Sequence, residues 1–493
     1  MARLNRLPLW LLALLSFLGY LGFHYWFPLR PAYRQYPLSD IRTFSPSLPA
    51  GFAYALLLTL LFGLYWLACQ RVAELPPAGS QRQLTRRLGL ILLLAALYSL
   101  PLLDTYPINA TDLFRYYIQG RISEVYHQNP LTVPPSSFPD DPYTILAGEW
   151  INDTSPYGPV WELAAAGVSR LSNQHLYTGI VLFKALGAGL LLLSGGLLWL
   201  LLKEQPPAGR LWRTALWSWN PALLLIFVVD GHNDILMLFW LLLGYWAWQR
   251  ANRPTLGFWL MCLAPLTKLI GLLPLPFFFL QMWREQRPGR ARWQFLLLAT
   301  GGALLLAWLV FLPFGSPLVL VQRLAKEAAA NGGFSPVTLF VLLTLHMEWS
   351  PEVRGIINSG TLLFGLLAIW LLWQTWRARP AVRAAADIFA GYLATAFTFR
   401  VWYTAWPFPW LLLDTAGSDP RRLPAGWWFL FTGQLSVIIY GHLHHYWLLK
   451  DHLLSHLVGV PFTFGLPLLL AYVTAHHFRP PPSPPQPPNS ATI

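Results

Sequence analysis

The 493 residues are 55% hydrophobic and only 11% charged, with a formal net charge of +13, whereas soluble domains carry about a quarter charged residues. That composition excludes a water-soluble fold, and it assigns the basic excess to loops at one membrane face rather than to nucleic acid, because no basic, aromatic-interleaved domain exists. The two cysteines, Cys69 and Cys262, both fall in apolar runs, which argues against a disulfide framework and a cysteine metal site.

The first apolar run, Leu7 to Phe27, follows Arg3 and Arg6 as in a signal peptide. It is long and no small-residue cleavage site follows, so it is expected to stay as an anchor. The runs Ala50 to Cys69, Leu88 to Leu103, Tyr177 to Leu202 and Phe295 to Leu312 approach or exceed the roughly 20 residues that cross hydrocarbon as a helix. They are apolar on every face, unlike the alternating strands of a barrel. The expected fold is an all-α integral membrane protein, a polytopic helical bundle of about 13 spans. Residues 1–104 form N-terminal spans, 105–156 a large loop, 157–477 a transmembrane core, and 478–493 a Pro-rich tail unable to build a core.

Arginine-rich segments at the N-terminus, Arg71 to Arg87, Lys203 to Arg213, Arg250 to Arg253, Arg284 to Arg292, Arg377 to Arg383, and Arg421 with Arg422 mark the cytoplasmic side. Threading the chain through them leaves Asp104 to Pro156 on the outer face, where acidic residues predominate. Thr255 to Trp283 and Ala384 to Asp414 fit only as paired half-helices, broken around Pro265 to Lys268 and around Arg400 to Pro409. Irregular backbone at membrane depth is tolerated where protein or a wet cavity satisfies it, so such breaks line sites. Tyr157 to Leu171 is short and amphipathic, suited to spanning, re-entering or lying in the interface. Gln322 to Phe334 forms a second outer loop ending in Asn331, Gly332 and Gly333. Asn109-Ala-Thr and Asn152-Asp-Thr match the glycosylation pattern, a match expected by chance.

The most informative stretch runs from Asp112 to Arg121 and on through His127 to Pro130. As a helix it sets Asp112, Arg115 and Gln119 on one face and presents a carboxylate beside the membrane. Such a carboxylate serves as general base for a sugar hydroxyl. The structural alternative is an N-cap aspartate paired with Arg115. Asn220-Pro221 and Asp230-Gly-His-Asn-Asp234 join two apolar runs, where polar residues either mark a functional site or form a capped turn. His232 between Asp230 and Asp234 lacks the second imidazole that zinc requires. Lys268 at the first break either snorkels to the interface or meets a phosphate. Arg400, Trp402, Tyr403 and Trp406 at the second suit phosphate chelation and sugar packing, or an interfacial aromatic belt. His442, His444 and His445 suit either a metal or, as the favoured reading, the outer end of a span.

In this order, Asp112, Arg115-Tyr116, Gly120-Arg121, Asn129-Pro130, Tyr157-Gly-Pro159, Asn220-Pro221, Gly231-His-Asn-Asp234, Lys268 and the Trp402-Tyr403 segment ending at Pro407 resemble the bacterial polyprenol-phosphate-mannose-dependent mannosyltransferases of the GT-C superfold. The order holds over most of the chain. The resemblance implies a GT-C-type enzyme with Asp112 as base and Lys268 and Arg400 against the donor phosphate. Candidate substrate-binding residues are Arg115, Gln119, Arg121, Asn129, His232, Asn233, Asp234 and Tyr403. Displacement would invert the anomeric carbon, giving an α-linkage from a β-linked donor. Many relatives carry an acidic residue just before the Gly-Arg pair, where this chain has Gln119, which argues against a paired-carboxylate metal site there; no obligatory metal is expected, although Asp230 and Asp234 leave one open, and no cofactor is expected. The expected partners are a polyprenyl-phosphate sugar donor, a glycan or glycolipid acceptor and membrane lipid, with no nucleic acid. The expected location is the plasma membrane, with the site extracytoplasmic. A transporter or flippase of a lipid-linked glycan shares broken helices and buried charges; the long outer loop and the absence of internal repeats favour the enzyme.

Overall fold

The computed structural model describes residues 7–330, 333–345, 351–415 and 419–478. Expectations placed on Arg3, Arg6, Asn331, Gly332 and the Pro-rich tail beyond Phe478 fall outside the described residues. The described residues form helices joined by turns and loops, with no strand beyond one isolated bridge, Pro28 to Thr105. The chain is a polytopic helical membrane protein.

Among the described residues, seven helices are long and apolar enough to cross a membrane: Leu9–Trp26, Leu48–Ala73, Gln81–Leu103, Leu176–Leu201, Arg290–Phe311, Pro351–Trp376 and His452–Phe478. The pair Pro221–Val229 and Asp234–Gln249, bent by 113°, makes up to eight. These seven or eight stand against an expected total of about 13, and other apolar segments form shorter helices. Pro254–Cys262, Leu275–Glu285, Ala381–Thr395 and Phe408–Leu413 hold 9, 11, 15 and 6 residues, so each falls short of the ~30 Å hydrocarbon thickness at ~1.5 Å per residue. The chain leaves the α-helix at both anticipated breaks, with 3₁₀ turns at Leu269–Leu272 and Val401–Ala405.

Three aromatic side chains tie helices together by giving their polar tips to neighbouring carbonyls. Tyr65 donates to Leu216 at 2.7 Å, Trp219 to Ile91 at 2.8 Å and Trp217 to Leu191 at 3.0 Å. Each ring buries a large apolar area and leaves no donor unmet.

Three contacts fix where the large loop starts. Phe27–Leu29 runs beside Asp104–Tyr106, with Leu29 donating to the Asp104 carbonyl at 3.0 Å and Tyr106 to Phe27 at 2.7 Å. The ammonium of Lys184, buried in Leu176–Leu201, donates to the carbonyls of Thr105 at 2.7 Å and of Val229. Asp230 accepts from the backbone of Ile108 at 2.7 Å and Asn109 at 3.1 Å, and from the Asn109 amide at 2.6 Å. That amide also donates to Gln434 at 3.1 Å, so the Asn109 glycosylation match is engaged inside the fold.

The sharp bend has a local cause. Asn220 caps Pro221–Leu224 through Ala222 and Leu223, as in the capped-turn reading. The helix then widens into a π turn, Leu225–Val229. Gly231 follows with φ +61°, and a Cβ there would lie 2.4 Å from Leu113. Left-handed backbone in close contact favours glycine alone. The bend thus rests on the first turn of the helix Asp112–Glu124.

Candidate active site

Asp112 is the first residue of its helix rather than its cap, and Thr111 before it makes no side-chain cap. Arg115 does not pair with it by a hydrogen bond. Its guanidinium donates to the Thr154 carbonyl at 3.1 Å and lies 4.6 Å over the Trp150 ring. The Asp112 carboxylate instead faces His232, Oδ2 standing 3.7 Å from Nδ1, with 15% of its side chain exposed. Burial pushes the Asp112 carboxyl above its ordinary range, while the charges of Arg115, Lys268 and Arg400 oppose the rise and Asp234 adds to it.

The bend supplies the facing wall. The His232 ring stacks on Trp402 at 4.1 Å and 22°, and neither of its buried nitrogens makes a hydrogen bond among the described residues. Neither amide atom of Asn233 is paired. Asp234 accepts from Lys268 Nζ at 2.8 and 2.9 Å and from the Trp406 indole at 2.5 Å. Lys268 lies 5.4 Å from the Tyr403 ring centre, and Tyr403 stacks on Trp406 at 4.1 Å. Arg400 opens the adjoining 3₁₀ turn, half-buried, with no side-chain hydrogen bond among the described residues.

The two breaks therefore meet. Residues 157–159 dock on the first: the Gly158 amide donates to Thr267 at 3.0 Å and Val160 to Leu266 at 2.9 Å. A Cβ on Gly158 would sit 2.0 Å from the Leu266 oxygen, so glycine lets the loop's end lie against the backbone just before Lys268.

Asp112, His232, Asn233, Asp234, Lys268, Arg400 and Tyr403 form this connected group. Arg121 has its own partner, Asp141, at 2.6 and 2.8 Å, and Tyr126 donates to the same carboxylate oxygen at 2.8 Å. Asn129 donates to the Phe314 carbonyl at 2.8 Å and accepts from Leu131 at 2.9 Å. Both residues brace the loop. Gln119 is buried beneath it with neither amide atom paired.

Two features escaped the sequence reading. The Trp406 indole is a ligand of Asp234, which nothing local announces. Glu162, fully buried in Pro159–Leu171, accepts from Ser155 at 2.5 Å, and burial pushes its carboxyl up to about 7. A lone glutamate in an apolar helix after Gly158-Pro159 was the available signal.

No group of three or more His, Cys, Asp and Glu suited to a metal occurs among the described residues. Asp230 is filled by Ile108 and Asn109, His442 Nε2 lies 2.9 Å from the Ser45 carbonyl, and His444 Nδ1 lies 2.8 Å from the Ser455 hydroxyl.

Residues 13–284 match the family described as alpha-(1->6)-mannopyranosyltransferase, N-terminal domain. The chain belongs to this family. The matched residues carry Asp112, the His232–Asp234 bend and Lys268; Arg400 and Tyr403 lie beyond them. A relative, alpha-(1->6)-mannopyranosyltransferase A of Mycobacterium tuberculosis (strain ATCC 25618 / H37Rv), is 26% identical over 361 residues, 67% of this chain and 65% of its own length. The match thus covers slightly less than two thirds of that relative. This mannopyranosyltransferase family agrees with the resemblance carried by the motifs.

Proposed function

We propose that the protein is an inverting mannosyltransferase that moves mannose from a polyprenyl-phosphate donor to a glycan or glycolipid acceptor at the extracytoplasmic face of the plasma membrane. Family membership supports mannosyl transfer. The observation that carries the mechanism is Asp112, largely buried, with no side-chain hydrogen bond among the described residues, facing His232 and influenced by three cations.

In this reading Asp112 takes the proton of the acceptor hydroxyl as its oxygen attacks the anomeric carbon. The bond from that carbon to the phosphate oxygen breaks on the opposite face, and polyprenyl phosphate leaves. A carboxylate whose proton affinity is raised by burial is the stronger base for this step. Arg115, Lys268 and Arg400 against Asp112 and Asp234 leave one net positive charge. That offsets the single charge of a phosphodiester-linked donor and attracts the second charge that develops on the leaving phosphate. Tyr403, stacked on Trp406 beside Lys268, offers an aromatic face to a sugar ring. His232 and Asn233 hold buried polar atoms whose unmade hydrogen bonds cost about 1–3 kcal/mol each. Sugar hydroxyls would meet them.

The test is transfer from radiolabelled polyprenyl-phosphate mannose to α-mannan acceptors by purified protein, wild type against Asp112→Asn. Loss of transfer in the variant is expected. Full transfer by Asp112→Asn would remove Asp112 as base, and no transfer by the wild type from any polyprenyl-phosphate sugar would remove the enzymatic reading.

A further inference from the structure

At the end of the bundle away from Asp112, arginines outnumber the carboxylates that hold them. Arg379 and Arg383 stand at the start of Ala381–Thr395, whose 15 residues lead toward the break at Arg400, about 22 Å along the axis. Arg383 reaches Asp414 at 3.0 Å, Arg422 bridges Asp414 at 3.2 Å and Asp387 at 2.7 Å, and Arg379 also pairs with Asp387. Arg213 joins them from Pro207–Ser218, donating to the Leu412 carbonyl at 2.7 Å. With the adjoining exposed pair Asp419–Arg421, five arginines meet three aspartates. Two positive charges are left over, although the side chains of Arg379, Arg383 and Arg422 are only 19%, 19% and 24% exposed. The Nε donors of Arg213 and Arg379 are buried without a partner.

Tryptophans fix the depth of this cluster. Arg379 lies 5.7 Å over Trp370 and Arg377 lies 5.2 Å over Trp373. These rings and Trp376 are 48–54% exposed at the end of Pro351–Trp376, a helix that packs little against the rest of the protein. Outward tryptophans at the end of a span lie at the lipid headgroups. Partly desolvated positive charge there needs counter-charge, and anionic headgroups supply it.

We propose that this arginine cluster is a binding site for the phosphate of an anionic membrane lipid, with Arg379, Arg383 and Arg422 as its ligands. Asp387 and Asp414 hold the guanidinium forks in place, and the lipid phosphate provides the charge that the two aspartates leave unmatched. The cluster joins the ends of Ala381–Thr395, Phe408–Leu413 and Arg422–Ile438, so a bound lipid ties both halves of the helix broken at Arg400 to their neighbour.

The test is native mass spectrometry and thermal unfolding of the purified full chain with phosphatidylglycerol, phosphatidylcholine of the same acyl chains, or inorganic phosphate. Phosphatidylglycerol is expected to stay bound and raise Tm, and the other two to leave it unchanged. Arg379→Gln with Arg383→Gln should weaken phosphatidylglycerol binding about thirtyfold, from the contribution of two cations near a charged surface. Asp419→Asn with Arg421→Gln, which keeps the net charge, should bind as wild type. Should the double arginine variant fail to fold, Arg422→Lys keeps the charge, loses the fork and is expected to bind more weakly. Equal response to both lipids, a full shift from inorganic phosphate alone, or unchanged binding by the folded arginine variants would overturn the proposal.

Discussion

At the arginine end of the bundle Asp387 and Asp414 are each held by two guanidiniums, whereas at the Asp112 end His232, Asn233 and Gln119 are buried more deeply, with none of their side-chain nitrogens and oxygens hydrogen-bonded among the described residues. The contrast recurs within five residues of the bend. Asp230 is filled by Ile108 and Asn109, and Asp234 by Lys268 and Trp406, while His232 and Asn233 between them are open. Buried polar groups are normally satisfied, and those left unmet mark places where water or a ligand completes the structure. Within the bend the paired aspartates hold the fold, and the open His232 and Asn233 stand on the side of Asp112.

The sharpest way to break that comparison is Asp112→Asn, expected to lower mannosyl transfer about 10²–10⁴-fold without lowering Tm. The sign follows from the raised carboxyl. The folded state holds the Asp112 proton more tightly than the unfolded chain, so this group's contribution to stability falls as pH climbs from its unfolded value of about 3.9 toward the higher folded value. A neutral amide removes that penalty, and a drop in Tm at pH 7 would count against it.

Lys268→Met tests the paired side. It leaves the fully buried Asp234 carboxylate with only the Trp406 indole, at a cost of about 3–5 kcal/mol. Adding Asp234→Asn should recover part of it in denaturant unfolding. Gly231→Ala imposes a side chain at φ +61° against Leu113, worth about 1–2 kcal/mol from the backbone alone, and transfer should fall with it because Leu113 adjoins Asp112. His232→Phe sharpens the open side. It retains the stack on Trp402 and sacrifices no protein hydrogen bond, so Tm should hold while transfer falls about tenfold, the equivalent of one lost substrate hydrogen bond. The smallest effect is in pH: the acid limb of transfer should lie above the ordinary aspartate value of about 3.9, and a limb at or below that value would separate the limb from Asp112.

Much of the site was legible as residue types at joints. The two breaks, the polar bend and the loop aspartate all stand out because polar residues interrupt apolar runs. What could not be read was how each polar group is used. Arg121 and Asn129 belong to the same motif order as Asp112, yet Asp141 and the Phe314 carbonyl claim them. Asp230 and Asp234 look alike in sequence, but one anchors the loop's start and the other a lysine. Glu162 passed unnoticed because a single carboxylate barely alters the pattern of an amphipathic helix.

The sequence by itself determined a helical membrane protein with interrupted helices, because hydropathy accumulates over stretches of about 20 residues and needs no partner. Tertiary structure decided which polar residues are closed and which are open. Pairing joins residues far apart in the chain, as Asn109 reaches Asp230 and Gln434 across 121 and 325 positions. A buried donor or acceptor is defined by what packs against it, and no local spacing carries that information.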